Sequence, residues 1–165
     1  MKVIVDTNVL HVAHGRNVPQ ASPQCIKSCA SILIEIRSEH VLVLDHARHI
    51  LREYGRQFSH PATAGVGYEF YVWILQNLSN MRHCELVPIT LLPNSDDHSD
   101  FAEFPRDILL TNFDRSDRKF VAVALAHPDH PPILNAVDTD WRDHETALAR
   151  HGIQVRFLCP DAMNV

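Results

Sequence analysis

Lys2-Val3-Ile4-Val5-Asp6-Thr7-Asn8-Val9-Leu10 opens the chain and decides how the rest of it is read. A short, mostly β-branched apolar run leads directly into an acidic-polar turn, the pattern of a buried parallel strand. In an open α/β sheet, ligands gather at the carboxyl ends of the strands. Asp6 stands at that end. Thr7 and Asn8 follow it, and either can accept from backbone amides of a helix starting there. Taken alone, Asp6 also reads as a residue that simply ends a strand and caps a helix.

The pattern recurs late in the chain. Pro131-Pro132-Ile133-Leu134-Asn135-Ala136-Val137 is a second strand-like run, and it ends in Asp138-Thr139-Asp140-Trp141. Helices and strands alternate between the two stretches. Helices are expected over about 8–14, closed near Gly15, and over 22–39, with Ser22 as cap and Pro23 in the first turn. A buried strand at 41–44 is followed by Asp45 as the cap of a helix over about 46–58. On that helix Ala47, Ile50, Leu51, Tyr54 and Phe58 are spaced to pack inward. Arg48, Arg52 and Arg56 recur every four residues as a basic stripe, with Glu53 at the border of the two faces. A stripe of this kind is either a solvated face or a rim that meets phosphates.

Residues 68–80 read as a helix carrying Tyr68, Phe70, Tyr71 and Trp73, either core residues or a stacking platform for bases. Residues 84–89 read as extended chain. The stretch 93–105 holds Asp96, Asp97, Asp100 and Glu103, and reads as an exposed loop with solvated acids. The Ala-containing run 120–126, preceded by Asp and Ser cap signals, favours a helix with Asp117 in its first turn, where the helix dipole stabilises a carboxylate. A helix over about 140–150 and an alternating edge strand at 153–157 complete the chain. Strands alternating with helices, and no dividing linker or repeat, predict one α/β domain over residues 1–165, with a mostly parallel central sheet and helices on both faces.

At 165 residues with 45% apolar and 21% charged content, the chain can bury a sizeable core. No apolar run reaches the length of a membrane span, and no signal-peptide pattern opens it. Four Cys without framework spacing suggest free thiols in a reducing cytoplasm, with Cys25 and Cys29 as small core hydrophobes. The twelve His include three pairs spaced by three, read as surface residues rather than a zinc site because no Cys-x-x-Cys or His-Glu-x-x-His accompanies them. The net charge of −5 argues against a nucleic-acid partner unless acids are gathered around cations.

Val-Asp-Thr-Asn-Val-Leu at residues 5–10 resembles the opening of PIN-domain nucleases, and Asp138-Thr139-Asp140-Trp141 is similar to that family's late Asp-x-Asp-aromatic element. Glu53 and Asp117 match, in order and approximate place, the family's Glu on an early helix and Asp opening a later one. Haloacid-dehalogenase-like phosphatases, the nearest rival, want a second Asp two residues after the first, where this chain has Asn8.

The resemblance implies a PIN-like fold and a carboxylate cluster of the kind that binds Mg²⁺ or Mn²⁺, hard ions that take oxygen ligands. It assigns Asp6, Glu53, Asp117 and Asp138 as catalytic metal ligands, Asp140 as a fifth, and Thr7, Asn8 and Asp143 as outer residues that orient ligands or water. Arg48, Arg52, Arg56, Arg118 and Lys119 are the candidate nucleic-acid contacts. The implied activity is endonucleolytic cleavage of single-stranded RNA leaving a 3′-hydroxyl. Three classes follow: a metal-dependent RNase acting as the toxin of a toxin–antitoxin pair, a housekeeping or defence nuclease acting on RNA or DNA, and a catalytically weak scaffold that binds nucleic acid or protein. An antitoxin, another protein or a second copy of the chain is the protein partner these classes admit, and none calls for a membrane.

Overall fold

The computed structural model describes residues 1–15, 18–60, 64–93 and 99–163. Asp96 and Asp97 therefore lie outside the described residues. Five strands, β1 (Lys2–Val5), β2 (Val41–Asp45), β3 (Cys84–Val87), β4 (Ile133–Asn135) and β5 (Val155–Phe157), form one all-parallel sheet in the order β3-β2-β1-β4-β5. Seven α-helices accompany them among the described residues: α1 (Thr7–His14), α2 (Pro23–Glu39), α3 (His49–Phe58), α4 (Val66–Asn77), α5 (Arg118–Ala126), α6 (Thr139–Asp143) and α7 (Glu145–Arg150).

The first three strands step outward in one direction from β1; the chain then returns and places β4 and β5 on its other side. Right-handed crossovers put the helices of the two halves on opposite faces of such a sheet. In accord with this, α1, α2 and α4 pack on one another, whereas α5 packs on β1, β2 and β4. Val3, Ile4 and Val5 are fully buried between the layers, which is why their stretch reads as continuously apolar rather than alternating. The order in which strands are added reverses between β1 and β4, and the crevice outside the carboxyl ends of those two strands is where an open α/β sheet binds its ligand.

Local signals act as the residue types dictate. Ser22 Oγ accepts from the Cys25 amide at the start of α2, and Gly15, at φ +70°, closes α1 in the left-handed conformation. Asp45 accepts from the amides of both His49 and Ile50, so α3 begins three residues later than expected and Ala47 lies exposed in the turn before it, not in the core. The expected helix over 140–150 divides into α6 and α7 at His144, whose ring Nδ1 lies 2.9 Å from the Asp140 carbonyl.

Two further expectations are corrected. Cys25 and Cys159 form a disulfide that ties the start of α2 to the segment after β5, so the four cysteines are not all free thiols. Cys29 and Cys84 are free and buried, and burial pushes the Cys29 thiol up to about 12. Within 93–105, Asp100 and Glu103 are not merely solvated: Asp100 pairs with Arg106 and Arg118, and Glu103 accepts from the Thr90 amide. No helix among the described residues is long and apolar enough to cross a membrane.

Candidate metal centre

Asp6 directly follows β1 and lies beside β4. Its backbone N–H donates to the Leu134 carbonyl at 3.0 Å, continuing the parallel ladder by one residue. Its side chain is divided between two partners. Oδ1 accepts from the Asn8 amide at 2.9 Å, capping α1, and Oδ2 accepts from the Trp141 indole N–H at 2.6 Å. Asp6 thus both caps a helix and stands in the site; one role does not exclude the other.

Asn8 stitches the two halves of the crevice together. Its Nδ2 donates to Asn135 Oδ1 at 2.6 Å, its Oδ1 accepts from the Ala136 amide, and Asn135 Nδ2 donates onward to the Asp138 carbonyl. The residue expected to orient a ligand therefore holds the backbone that presents Asp138. Asp138 caps α6 through the Asp140 amide at 2.9 Å.

Asp117 arrives from the other direction, at the junction of a 3₁₀ turn (Arg115–Asp117) with α5. It occupies the N-cap position of α5 yet makes no side-chain capping bond, so the carboxylate serves no local purpose there. Carboxylate oxygens of Asp6, Asp117 and Asp138 all lie within 4.8 Å of one another.

The electrostatics follow from that convergence. Burial, then the charge of Asp138, pushes Asp6 up to about 7, against the lowering effect of the Asn8 amide and the Trp141 indole. Burial and the charges of Asp6 and Asp138 push Asp117 up to about 9, and burial raises Asp138 as well. Asp6 and Asp117 are buried, Asp138 is half-buried, and the charges of the group disfavour ionisation of Asp6 and Asp117; a bound cation would relieve both the desolvation and the repulsion. All three donors are oxygen, which suits a hard divalent ion.

The other sequence candidates take different places. Glu53 is not part of the 4.8 Å group. Its Oε1 accepts from the Thr7 hydroxyl, and its Oε2 lies 2.5 Å from Lys119 Nζ. Tyr54, the next residue, is fully buried and donates its hydroxyl to the Val5 carbonyl, which pins α3 to the end of β1 and fixes Glu53 beside Asp6. Asp140 accepts from the Asp114 amide at 2.8 Å and lies 3.1 Å from the His144 ring. Asp143 is exposed and reaches the group only through its charge on Asp138.

A cleft of about 450 Å³ opens beside the acids, lined by Glu53 and Lys119 with His49, Arg52, Arg56 and Phe101. Arg52 is steadied by the Ala47 and Arg48 carbonyls. Arg48 is exposed at the N-cap of α3 and is not among the residues lining the cleft. Arg118 is buried, paired with Asp100 and stacked over Phe104, and lines a separate depression. Phe70 and Trp73 stack on each other within the core and offer no base platform.

Two contributors escaped sequence reasoning. Trp141 was visible as the aromatic of Asp138-Thr139-Asp140-Trp141, but nothing signalled that its indole grips Asp6; Asn135 read only as part of a strand. Comparison with known proteins finds no matching family model, no matching curated protein and no matching solved structure.

Proposed function

We propose that the chain is a divalent-metal-dependent nuclease of PIN-like design that hydrolyses phosphodiester bonds in single-stranded RNA. One observation carries this reading: two buried aspartates, Asp6 and Asp117, and the half-buried Asp138 converge at the crevice where the strand order reverses, beside a cleft lined by Arg52 and Arg56. A cluster of acids alone would repel a polyanion, and a basic cleft alone would only bind one. Side by side, they suit a substrate whose phosphates are held while a bond at one of them is broken.

Asp6, Asp117 and Asp138 would hold Mg²⁺ or Mn²⁺, which when bound supplies an activated water and neutralises charge on the scissile phosphate. The protein does the rest. Trp141 and the Asn8 amide fix both oxygens of Asp6, so its orientation does not depend on the ion. Arg52, Arg56 and Lys119 neutralise flanking phosphates along the cleft. Phe113 and Phe120 pack against the Trp141 ring and exclude water from behind the acids.

The test is incubation of the purified protein with single-stranded RNA and DNA, with Mn²⁺ and with chelator. Cleavage of RNA to products with a 3′-hydroxyl, abolished by chelator, is expected. Cleavage unaffected by chelator, or none on either polymer by folded protein, would refute the reading.

A further inference from the structure

Lys119 lines the basic cleft, pairs with Glu53 and acts on Asp117 through its charge, and its side chain is only 9% exposed. Its ammonium has three N–H groups. One meets Glu53 Oε2 at 2.5 Å and another the Ser116 carbonyl, while the Phe120 ring lies 4.7 Å from Nζ. The third remains for an oxygen of a molecule in the cleft. The other oxygen of Glu53 is taken by Thr7.

These contacts decide what Glu53 can do. A second divalent ion bound through Glu53 would have to sit against an ammonium 2.5 Å from the same carboxylate, with like charges repelling in a partly dry setting. The ammonium lowers the pKa of Asp117, so its field reaches the triad as well.

Building on the metal-dependent reading above, we infer that Lys119 takes the place of a second metal ion: the three aspartates hold a single divalent cation, Glu53 positions Lys119, and the Lys119 ammonium meets a phosphate oxygen of the substrate. The position is organised without being a metal shell. Tyr54 fixes α3 to β1, Glu53 follows from α3, and Glu53 with Ser116 fixes Nζ.

The test is Mn²⁺ stoichiometry on the full chain, read by electron paramagnetic resonance of free Mn²⁺ and needing no turnover. The parent is expected to bind one ion, and Lys119→Met two, because Glu53 is then released. That variant leaves a partly buried carboxylate unpaired and can fail to fold, so the double variant Glu53→Gln/Lys119→Met provides a second arm. Exchanging a buried ion pair for neutral groups of similar volume is often neutral or stabilising. The double variant is expected to bind one ion with unchanged affinity. A loss of about tenfold or more in the double variant, the scale of disrupting a metal's supporting residues, would place Glu53 in the metal's shell and overturn the inference. Two ions in the parent would overturn it while leaving the metal-dependent reading standing; no ion in the parent would overturn both.

Discussion

The indole N–H of Trp141 donates to Asp6 Oδ2 at 2.6 Å, joining residues 135 positions apart across the reversal point of the sheet. Trp141 is fully buried between Phe113 and Phe120, so the donor has no freedom to leave. Trp141→Phe keeps most of the packing and removes the donor. Above about pH 7, where Asp6 is charged, it is expected to cost about 1.5–3 kcal/mol of stability, the worth of a hydrogen bond to a charged group. It should also weaken Mn²⁺ binding by about 10–100-fold, as removal of a ligand's partner does. Urea unfolding and Mn²⁺ titration of the same preparation check both.

Asp117→Asn separates stability from function. Asp117 makes no capping bond and is crowded by two other acids, so neutralising it should leave the protein in chelator as stable as the parent or more so. Added Mn²⁺ should raise the melting temperature of the parent more than that of the variant, because binding to the native state stabilises it by mass action. Were Asp117 only a first-turn acid, the variant would instead lose about 0.3–1 kcal/mol and keep its metal response.

The raised acids also set a pH dependence. Their folded pKa values lie above the ordinary 3.8, reaching about 7 for Asp6 and about 9 for Asp117, so between these limits the folded state holds more protons than the unfolded one. Stability contributed by the site is therefore full below about pH 4 and is lost as pH rises towards 9, at no more than about 1.4 kcal/mol per pH unit for each proton. Burial lowers the pKa of His11, which pulls the other way on the acid side, so the quantity to measure is the difference between parent and Asp117→Asn. In chelator that difference should move in favour of the variant from pH 5 to pH 9, and saturating Mn²⁺ should remove the trend. A flat difference in chelator would show that burial and the neighbouring acids do not raise Asp117.

Arg52 and Arg56 line the cleft, whereas Arg48 does not. Arg52→Ala and Arg56→Ala are each expected to weaken RNA binding and to lower the slope of log affinity against log salt by about 0.7, the contribution of one phosphate contact on a single strand. Arg48→Ala should change neither. Equal slopes in all four proteins would make the stripe a solvated face.

Much of this was legible because the chemistry is local. Asp6 and Asp138 each follow a β-branched or apolar strand, and a parallel strand delivers its last residue to the ligand-binding edge whatever the rest of the chain does. Asp117 was visible through the cap signals before an apolar run. What a sequence cannot display is who meets whom across the fold. Glu53 was legible as an acid on an early helix and as a candidate ligand, but its partnership with Lys119 and Thr7 depends on the packing of α3 against α5 and β1. Four cysteines without framework spacing carry no pairing rule, so the Cys25–Cys159 bond was out of reach. At the division, His144 leaves helical backbone geometry, with φ −103° and ψ 3°, which helical periodicity does not record.

The central claim, that Asp6, Asp117 and Asp138 form the metal centre of a nuclease, is tested most directly by the rate of cleavage of a single-stranded RNA as Mn²⁺ is titrated into the parent and into Asp117→Asn. The expected result is a saturable Mn²⁺-dependent rate in the parent and a loss of at least about a hundredfold in a variant that is no less stable, in line with removing a group that acts on transition-state charge. Equal rates in the two proteins, or a rate independent of Mn²⁺, would contradict it.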